Sequence, residues 1–166
     1  MKGNIILVGM PGCGKTTIGK LLAEKLDYEF CDLDEYIVKK ENMSIDEMFE
    51  NGEDYFRDIE SRGVLDASKF KKTVVSTGGG VIKRKENMEL LQESGLIIFI
   101  DRPIENIISD VDTDSRPLLK EGKERLYDLL EERYKIYQKC CDMEIINDGD
   151  IEKLIEKIAV ILKWKY

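Results

Sequence analysis

Short apolar runs alternate along the chain with longer stretches in which apolar residues recur every three or four positions. The runs are four to six residues long and rich in Ile, Val, Leu and Phe, as expected of strands that are covered on both faces. They span Asn4–Val8, Tyr28–Leu33, Thr73–Ser76, Leu96–Ile100 and Met143–Ile146. The stretches between them predict helices, so we expect an α/β fold of three layers, with a parallel sheet between helices and ligands at the carboxyl ends of its strands.

Helix signals support this alternation. Ser44 and Glu47 form a candidate capping box, Pro103 suits a first helical turn, and the last helix is expected to open at Asp150. No linker or repeat interrupts the chain, so we expect a single domain over residues 1–166. Two apolar stripes at helical spacing consist of Ile18, Leu21, Leu22 and Leu26, and of Ile151, Leu154, Ile155, Ile158 and Leu162.

A polar segment, residues 109–122, breaks the pattern between two predicted helices. It contains three aspartates and Arg116 and has few apolar residues to bury. One interpretation is a mobile lid over an active site. The other is a plain surface loop, which composition alone slightly favours.

A phosphate-binding motif follows the first predicted strand. Gly9–Thr16 matches G-x-x-x-x-G-K-[ST] in full, and a helical pattern begins at Lys15. The glycines let backbone N–H groups turn inward to bind an anion, and the helix N-terminus adds further donors. Lys15 can then reach the β- and γ-phosphates, and the Thr16 hydroxyl can bind Mg²⁺. The alternative is a glycine-rich turn without a ligand.

Two acids follow the second predicted strand. Asp32 and Asp34 stand two residues apart, so on an extended strand they face the same way, beside the phosphate loop. One could hold Mg²⁺ through water and the other could accept a proton from a substrate hydroxyl. Alternatively, they form a turn or cap ahead of a helix at Glu35–Lys40.

Three glycines, Gly78 to Gly80, follow the third predicted strand. Glycines lose more conformational entropy on folding than other residues do, and this cost is expected where a ligand must approach the backbone closely. Arg57 can pair with Glu60 on a helical stretch, and Arg133 lies on the predicted helix Lys123–Cys141. A guanidinium suits carboxylates and phosphates, although each arginine alone is better explained as a surface charge.

Charge and composition restrict the function. The 166 residues carry a net charge of −8 and include no histidine. The negative charge argues against nucleic acid and anionic membranes as partners. Without histidine, any general base must be a carboxylate, Lys, Cys or Tyr.

The four cysteines include no C-x-x-C pair, so we expect no zinc site and free thiols in a reducing cytoplasm. The first apolar run is too short for a signal peptide or a membrane span. Cys13 lies inside the phosphate loop, where backbone N–H groups and Lys15 favour its thiolate. It is either a thiol that alkylators reach in the nucleotide-free protein, or a small residue whose side chain points into the protein.

Taken together, these motifs resemble shikimate kinase over nearly the whole chain. Their joint order and spacing are far more specific than the phosphate loop alone. They are G-M-P-G-C-G-K-T at Gly9–Thr16, Asp32-x-Asp34, G-E-x-x-F-R-x-x-E at Gly52–Glu60, T-G-G-G at Thr77–Gly80, R-P-L-L at Arg116–Leu119, and Arg133-x-x-x-Tyr137.

The resemblance implies ATP-dependent phosphorylation of the 3-hydroxyl of shikimate, a step toward chorismate and the aromatic amino acids. It also implies the P-loop kinase fold in its nucleoside-monophosphate-kinase arrangement, with five parallel strands. A substrate-binding region is expected at about residues 35–60 and a lid at about 109–122. We expect a monomer that uses ATP and Mg²⁺.

By position, the resemblance assigns Arg57 and Arg133 to the substrate carboxylate. It assigns Asp34 and the backbone at Gly79 to the substrate hydroxyls, with Asp34 nearest the attacking oxygen. Thr16 and Asp32 belong to the Mg²⁺ shell, and the catalytic residues are Asp34, Lys15 and Arg116. The ATP contacts are Gly12, Cys13, Gly14, Lys15, Thr16, Thr17 and Arg116.

The chain departs from the family at two positions. Many members have an arginine that stacks on adenine where this chain has Ser109, and a basic residue near adenine where it has Asn147–Asp150. Base specificity is then either loose or carried by backbone groups. Competing interpretations are a gluconate-type or nucleoside-monophosphate kinase, a regulator that has lost catalysis, and a nucleic-acid-binding ATPase.

Overall fold

A single parallel sheet organises the chain. The computed structural model of the protein describes residues 3–110 and 123–165. Within these residues the sheet has five strands in the order β2-β3-β1-β4-β5, which confirms the predicted α/β fold. The strands are β1 (Asn4–Val8), β2 (Glu29–Asp32), β3 (Thr73–Ser76), β4 (Gly95–Asp101) and β5 (Met143–Ile146).

Helices connect the strands and cover the sheet. They are α1 (Lys15–Leu26), α2 (Leu33–Glu41), α3 (Ile45–Glu50), α4 (Glu53–Ala67), α5 (Lys85–Ser94), α6 (Ile104–Asp110), α7 (Lys123–Cys140) and α8 (Ile151–Lys165). A short 3-10 turn, Val81–Lys83, precedes α5. Among the described helices, none is both long and apolar enough to cross a bilayer.

The core covers both faces of the central strand, since all five residues of β1 are buried. Ile6 of β1 pairs with Val75 of β3 on one side and with Ile97 of β4 on the other, and all three side chains are buried. Burying a side chain of this size stabilises the fold by about 1.5–3 kcal/mol. Because β1 has a partner on each side, the loop that follows it is held at the middle of the sheet's carboxyl edge.

Most local predictions are confirmed. The bounds of β1, β3 and β5 agree with the apolar runs, and Ser44 and Glu47 form a complete capping box at α3. Asp150 accepts from the N–H groups of the first turn of α8, as an N-cap residue should. In α1, Ile18 and Leu22 are buried, but Leu21 is 39% exposed and lies outside the apolar face.

Of the two interpretations of Asp32 and Asp34, the extended pair on one strand is wrong, and the cap ahead of a helix is correct for Asp32. Strand β2 ends at Asp32, whose carboxylate accepts from the N–H groups of Asp34 (3.1 Å) and Glu35 (3.3 Å) and so caps α2. Asp34 therefore lies in the first turn of a helix. Both acids still line the same cleft, because a helix begins directly at the strand's carboxyl end.

The predicted lid lies largely outside the described residues. The described part of α6 reaches Asp110, and the described part of α7 starts at Lys123. Residues 111–122, which include Arg116, are not described. The lid and the role of Arg116 therefore stay predictions.

Candidate active site

A cleft of about 720 Å³ opens at the carboxyl ends of the strands. The phosphate loop forms one wall, the glycine turn after β3 forms another, and α2 to α4 close the far side. Its lining includes predicted site residues from four separate segments of the chain: Gly12, Gly14, Lys15, Thr16, Thr17, Asp32, Asp34, Arg57 and Gly79. The predicted residues of the described chain are thus brought together, except that Cys13 and Arg133 are not part of this lining.

The phosphate loop has the predicted strand–loop–helix setting. Gly14 has φ 99°, in the left-handed region that favours glycine, and α1 begins at the next residue. The Lys15 ammonium donates to the carbonyls of Gly9 and Met10, both at 2.8 Å, and is buried against the loop. These bonds fix the cation beside the loop whose N–H groups are predicted to bind phosphate.

Asn147 ties the loop to the opposite end of the chain. Its side-chain amide donates to the carbonyl of Cys13 at 2.9 Å. A Cβ on Gly14 would lie 3.0 Å from the same amide nitrogen, so glycine allows the close approach. The sequence placed Asn147 only near the adenine, and no local signal points to this supporting role.

The thiol of Cys13 is completely buried, at 0% exposure. Its sulfur packs against the phosphate-loop backbone, where a Cβ on Gly9 would lie 2.8 Å away. Of the two interpretations, the accessible thiol is therefore wrong and the inward-pointing side chain is correct. Only the backbone of Cys13 is left to contact nucleotide.

We predict that brief alkylation of the native, nucleotide-free protein leaves Cys13 unmodified. The partly exposed Cys140 and Cys141 should react first, slowly, because burial raises the pKa of both thiols. Peptide mass mapping before and after denaturation measures this, and denaturation should make Cys13 reactive. Early labelling of Cys13 that MgATP prevents would contradict the buried geometry.

Two oxygen ligands lie beside the helix end of the phosphate loop. The Thr16 hydroxyl donates to the Asp32 carboxylate at 2.8 Å and lies 3.4 Å from the Ser76 hydroxyl. Hard cations such as Mg²⁺ prefer such oxygen donors. Within the described chain no three Cys, Asp or Glu side chains converge as metal ligands, so these residues fit an ion that is held mainly by nucleotide phosphates.

Asp34 lies beside a second, fully buried carboxylate. A Cβ on Gly78 would be 3.0 Å from an oxygen of Asp34 and 3.1 Å from an oxygen of Glu60, which places both groups against the glycine turn. Burial raises the pKa of Glu60 to about 7, opposed by Arg57 and assisted by the charge of Asp34. Glu60 therefore changes between its protonated and ionised forms near neutral pH.

The raised pKa of Glu60 predicts a pH-dependent stability. Between pH 4.5 and about 7 the folded protein holds a proton that the unfolded chain releases. The free energy of unfolding should therefore fall as pH rises through this range, by about 3 kcal/mol. Urea denaturation across the range measures this slope, and Glu60→Gln should remove it.

Glu53→Gln is the matched control for this experiment. Glu53 lies on the same helix and also accepts from Arg57, at 3.3 Å, but Lys83 lowers its pKa. The control should keep the wild-type slope between pH 4.5 and about 7. An unchanged slope in Glu60→Gln would show that Glu60 is ionised throughout.

Arg57 is held under the glycine turn. One nitrogen donates to Glu60 at 2.7 Å, and the guanidinium lies 4.9 Å from the centre of the Phe56 ring. A Cβ on Gly80 would come within 2.3 Å of the guanidinium. The glycine at this position is therefore explained by the close approach of Arg57, whose pairing with Glu60 was predicted.

Arg133 is a buried cation with unused donors. Its side chain is 2% exposed, and its Nε and one Nη have no hydrogen-bond partner among the described residues. One turn further along α7, the Tyr137 hydroxyl donates to the carbonyl of Gly79 at 2.5 Å. Its Nε lies 4.0 Å from the carboxylate of Glu132, which is 45% exposed. Buried donors without hydrogen-bond partners are costly, so the pattern indicates that an anionic ligand completes this site.

Arg102 is a cleft residue that the sequence did not single out. It follows β4 directly and lines the cleft together with Asp110. The only available signal is its place at the carboxyl end of a strand, where ligands of α/β proteins bind.

Comparison with known proteins agrees with this site. The family model described as shikimate kinase matches residues 11–163. A shikimate kinase of Clostridium botulinum (strain Alaska E43 / Type E3) is 52% identical over 162 residues, which cover 98% of each chain.

Solved structures agree as well. Shikimate kinase from Acinetobacter baumannii, in complex with shikimate, has a TM-score of 0.92 at 37% identity and covers 98% of this chain and 94% of its own. Shikimate kinase from Bacteroides thetaiotaomicron has a TM-score of 0.88 at 28% identity, covering 97% and 98%. The chain belongs to the shikimate kinase family, the ATP-dependent phosphotransferases of aromatic amino acid biosynthesis.

Proposed function

We propose that the protein transfers the γ-phosphoryl group of ATP to the 3-hydroxyl of shikimate. The observation that carries this proposal is the buried Arg133, with two nitrogens that lack a hydrogen-bond partner, on the helix that Tyr137 ties to the glycine turn of the cleft. An acceptor that carries a carboxylate fits such a site better than a neutral sugar does. The relative from Acinetobacter baumannii, solved with shikimate, supports the same acceptor.

Arg57 and Arg133 bind the carboxylate of shikimate. Arg57 of α4 lies under the glycine turn, and Arg133 lies on α7, which Tyr137 ties to the backbone of Gly79. The Gly79 backbone and Asp34 then hold the hydroxyl groups. This arrangement fixes the acceptor at both ends, and positioning is a large part of catalysis in phosphoryl transfer.

Asp34 accepts the proton of the attacking hydroxyl. It extends from the first turn of α2 into the cleft that the phosphate loop also lines. The chain has no histidine, and the resemblance places the carboxylate of Asp34 nearest the attacking oxygen. Glu60, beside Asp34, holds Arg57 by an ion pair at 2.7 Å and so positions the carboxylate site.

The triphosphate lies on the phosphate loop. Backbone N–H groups of residues 12–17 bind its oxygens, and the Lys15 ammonium stabilises charge on the transferred group. Arg116, from the predicted lid, adds a second positive charge. Thr16 and Asp32 would hold Mg²⁺, which supplies further charge neutralisation at the phosphates.

The remaining proposals concern organisation. Residues 1–166 form one kinase domain, in which residues 35–60 bind the substrate and residues 109–122 form the lid. Ser44, Asp46 and Phe49, which line the cleft, support the first assignment. We place the protein in the cytoplasm, where the free cysteines of the described chain would stay reduced, and we propose that it acts as a monomer.

A coupled assay of ADP release with MgATP and shikimate tests the function. Shikimate methyl ester is the matched control, because it keeps the hydroxyl groups but lacks the carboxylate charge. We expect rapid turnover with shikimate and little with the ester, gluconate or a nucleoside monophosphate. Turnover with one of these other acceptors and none with shikimate would overturn the proposal.

A further inference from the structure

Arg102 has no role in the chemistry proposed so far. It is the first residue after β4 and lines the cleft beside the phosphate loop. One of its terminal nitrogens donates to the carbonyl of Gly12 at 3.2 Å. The other forms an ion pair with Asp110, at the end of α6.

These contacts leave the guanidinium able to bind more. A guanidinium has five N–H groups, and the two contacts engage one on each terminal nitrogen. The side chain is 21% exposed, so solvent or a ligand reaches it. Within the described part of the chain, Arg102 and Lys15 are the cations whose side chains contact the phosphate loop.

We propose that Arg102 binds the triphosphate of the nucleotide and that Asp110 holds it when no nucleotide is present. The Gly12 carbonyl fixes the guanidinium within a few ångströms of the loop on which phosphates lie. A guanidinium suits phosphate oxygens through paired, charge-assisted hydrogen bonds. The inference rests on the proposed use of ATP but not on the identity of the acceptor.

Asp110 competes with the phosphates for the same cation. Arg102 holds the pKa of Asp110 below its usual range, so this carboxylate is ionised at neutral pH. Nucleotide binding exchanges one anionic partner of Arg102 for another. Removing the carboxylate should therefore favour the nucleotide, and removing the guanidinium should weaken it.

The test is calorimetric titration of the full chain with the magnesium complex of a non-hydrolysable ATP analogue, without shikimate. Arg102→Ala loses a charge-assisted contact, so it should bind the analogue at least about tenfold more weakly than wild type does. Arg102→Gln should bind the analogue about as weakly as Arg102→Ala, although the glutamine amide can still donate to the Gly12 carbonyl. Asp110→Asn should bind about threefold more tightly, since a competing negative charge is gone.

Arg84→Ala is the matched control. Arg84 is similarly exposed, at 30%, and pairs with Asp58 at 2.7 Å, but it lies outside the cleft lining. It should bind the analogue as wild type does. Thermal melting of each variant reports whether a change in folding accompanies the change in affinity.

Three outcomes would overturn the proposal. Wild-type affinity in Arg102→Gln would mean that Arg102 only braces the Gly12 carbonyl. Weakened binding of the adenine analogue but not of the matching guanine analogue would place the contact at the base. Unchanged or weaker binding of the analogue by Asp110→Asn would show that Asp110 does not compete with the phosphates for Arg102. Because no acceptor is present, failure of shikimate phosphorylation would not produce any of these results.

Discussion

Asp34→Asn should lower kcat by about 10²- to 10⁴-fold, the range typical of removing a general base. The substitution keeps the size of the side chain and its place in the first turn of α2. It removes the negative charge that would accept the proton of the attacking hydroxyl. Because the amide can still contact a hydroxyl, the KM for shikimate should change much less than kcat.

Steady-state kinetics with MgATP and shikimate measure both constants. Asp58→Asn, the same chemical change on the outer face of α4 with a side chain 64% exposed, is the control and should keep wild-type kcat. A loss in Asp34→Asn of less than about tenfold with unchanged KM would contradict a role as base. Asp34 would then only position the hydroxyl, as a loose transition state allows.

Arg133→Met should raise the KM for shikimate by about 10- to 150-fold, because the variant loses a hydrogen bond to a charged group. It should do so without lowering the free energy of unfolding, because the guanidinium is buried with two unpartnered nitrogens. An apolar side chain in such a place is often neutral or stabilising. The KM for shikimate should thus rise while the free energy of unfolding stays the same or increases.

Arg57→Ala should raise the same KM but also destabilise the fold. Its loss leaves Glu60, which is 0% exposed, without its cation. Glu60 should then take up a proton, because Arg57 no longer opposes the effect of burial on its pKa, and leaving the buried group without its hydrogen bond typically costs about 1–3 kcal/mol. Arg57→Lys should rescue KM poorly, because an ammonium lacks the bidentate fork.

Kinetics and urea denaturation of Arg133→Met and Arg57→Ala test the contrast between their effects on stability. Arg62→Ala is the control, since Arg62 lies on α4 but is 55% exposed and pairs with Glu41 at the surface. ATP binding should stay close to wild type in each case. Wild-type KM in both Arg57→Ala and Arg133→Met would place the carboxylate site elsewhere.

Features that depend on neighbouring residues could be predicted from the sequence. The phosphate loop, the α3 capping box and the Arg57–Glu60 pair each lie within a few positions of one another, so spacing alone defines them. The sheet followed in the same way, since short apolar runs between helical stretches permit few arrangements.

Features set by distant contacts could not be predicted. The run Tyr28–Leu33 is one residue longer than strand β2 at each end. At the carboxyl end it includes the apolar Leu33, whereas the carboxylate of Asp32 caps a helix that begins there. The thiol of Cys13 is buried because of packing against the loop backbone, which its position in the motif does not reveal. Arg102 reaches the carbonyl of Gly12 across 90 positions of sequence.

The bond between Asn147 and the Cys13 carbonyl joins residues that are 134 positions apart. A chain made from its N-terminus at about 5–20 residues per second exposes the phosphate loop several seconds before Asn147 is synthesised. During that interval β1 and α1 can form, but the loop lacks the amide that fixes its backbone. The nucleotide site is therefore completed late in synthesis, so a nascent chain should gain its affinity for ATP only after β5 has joined the sheet.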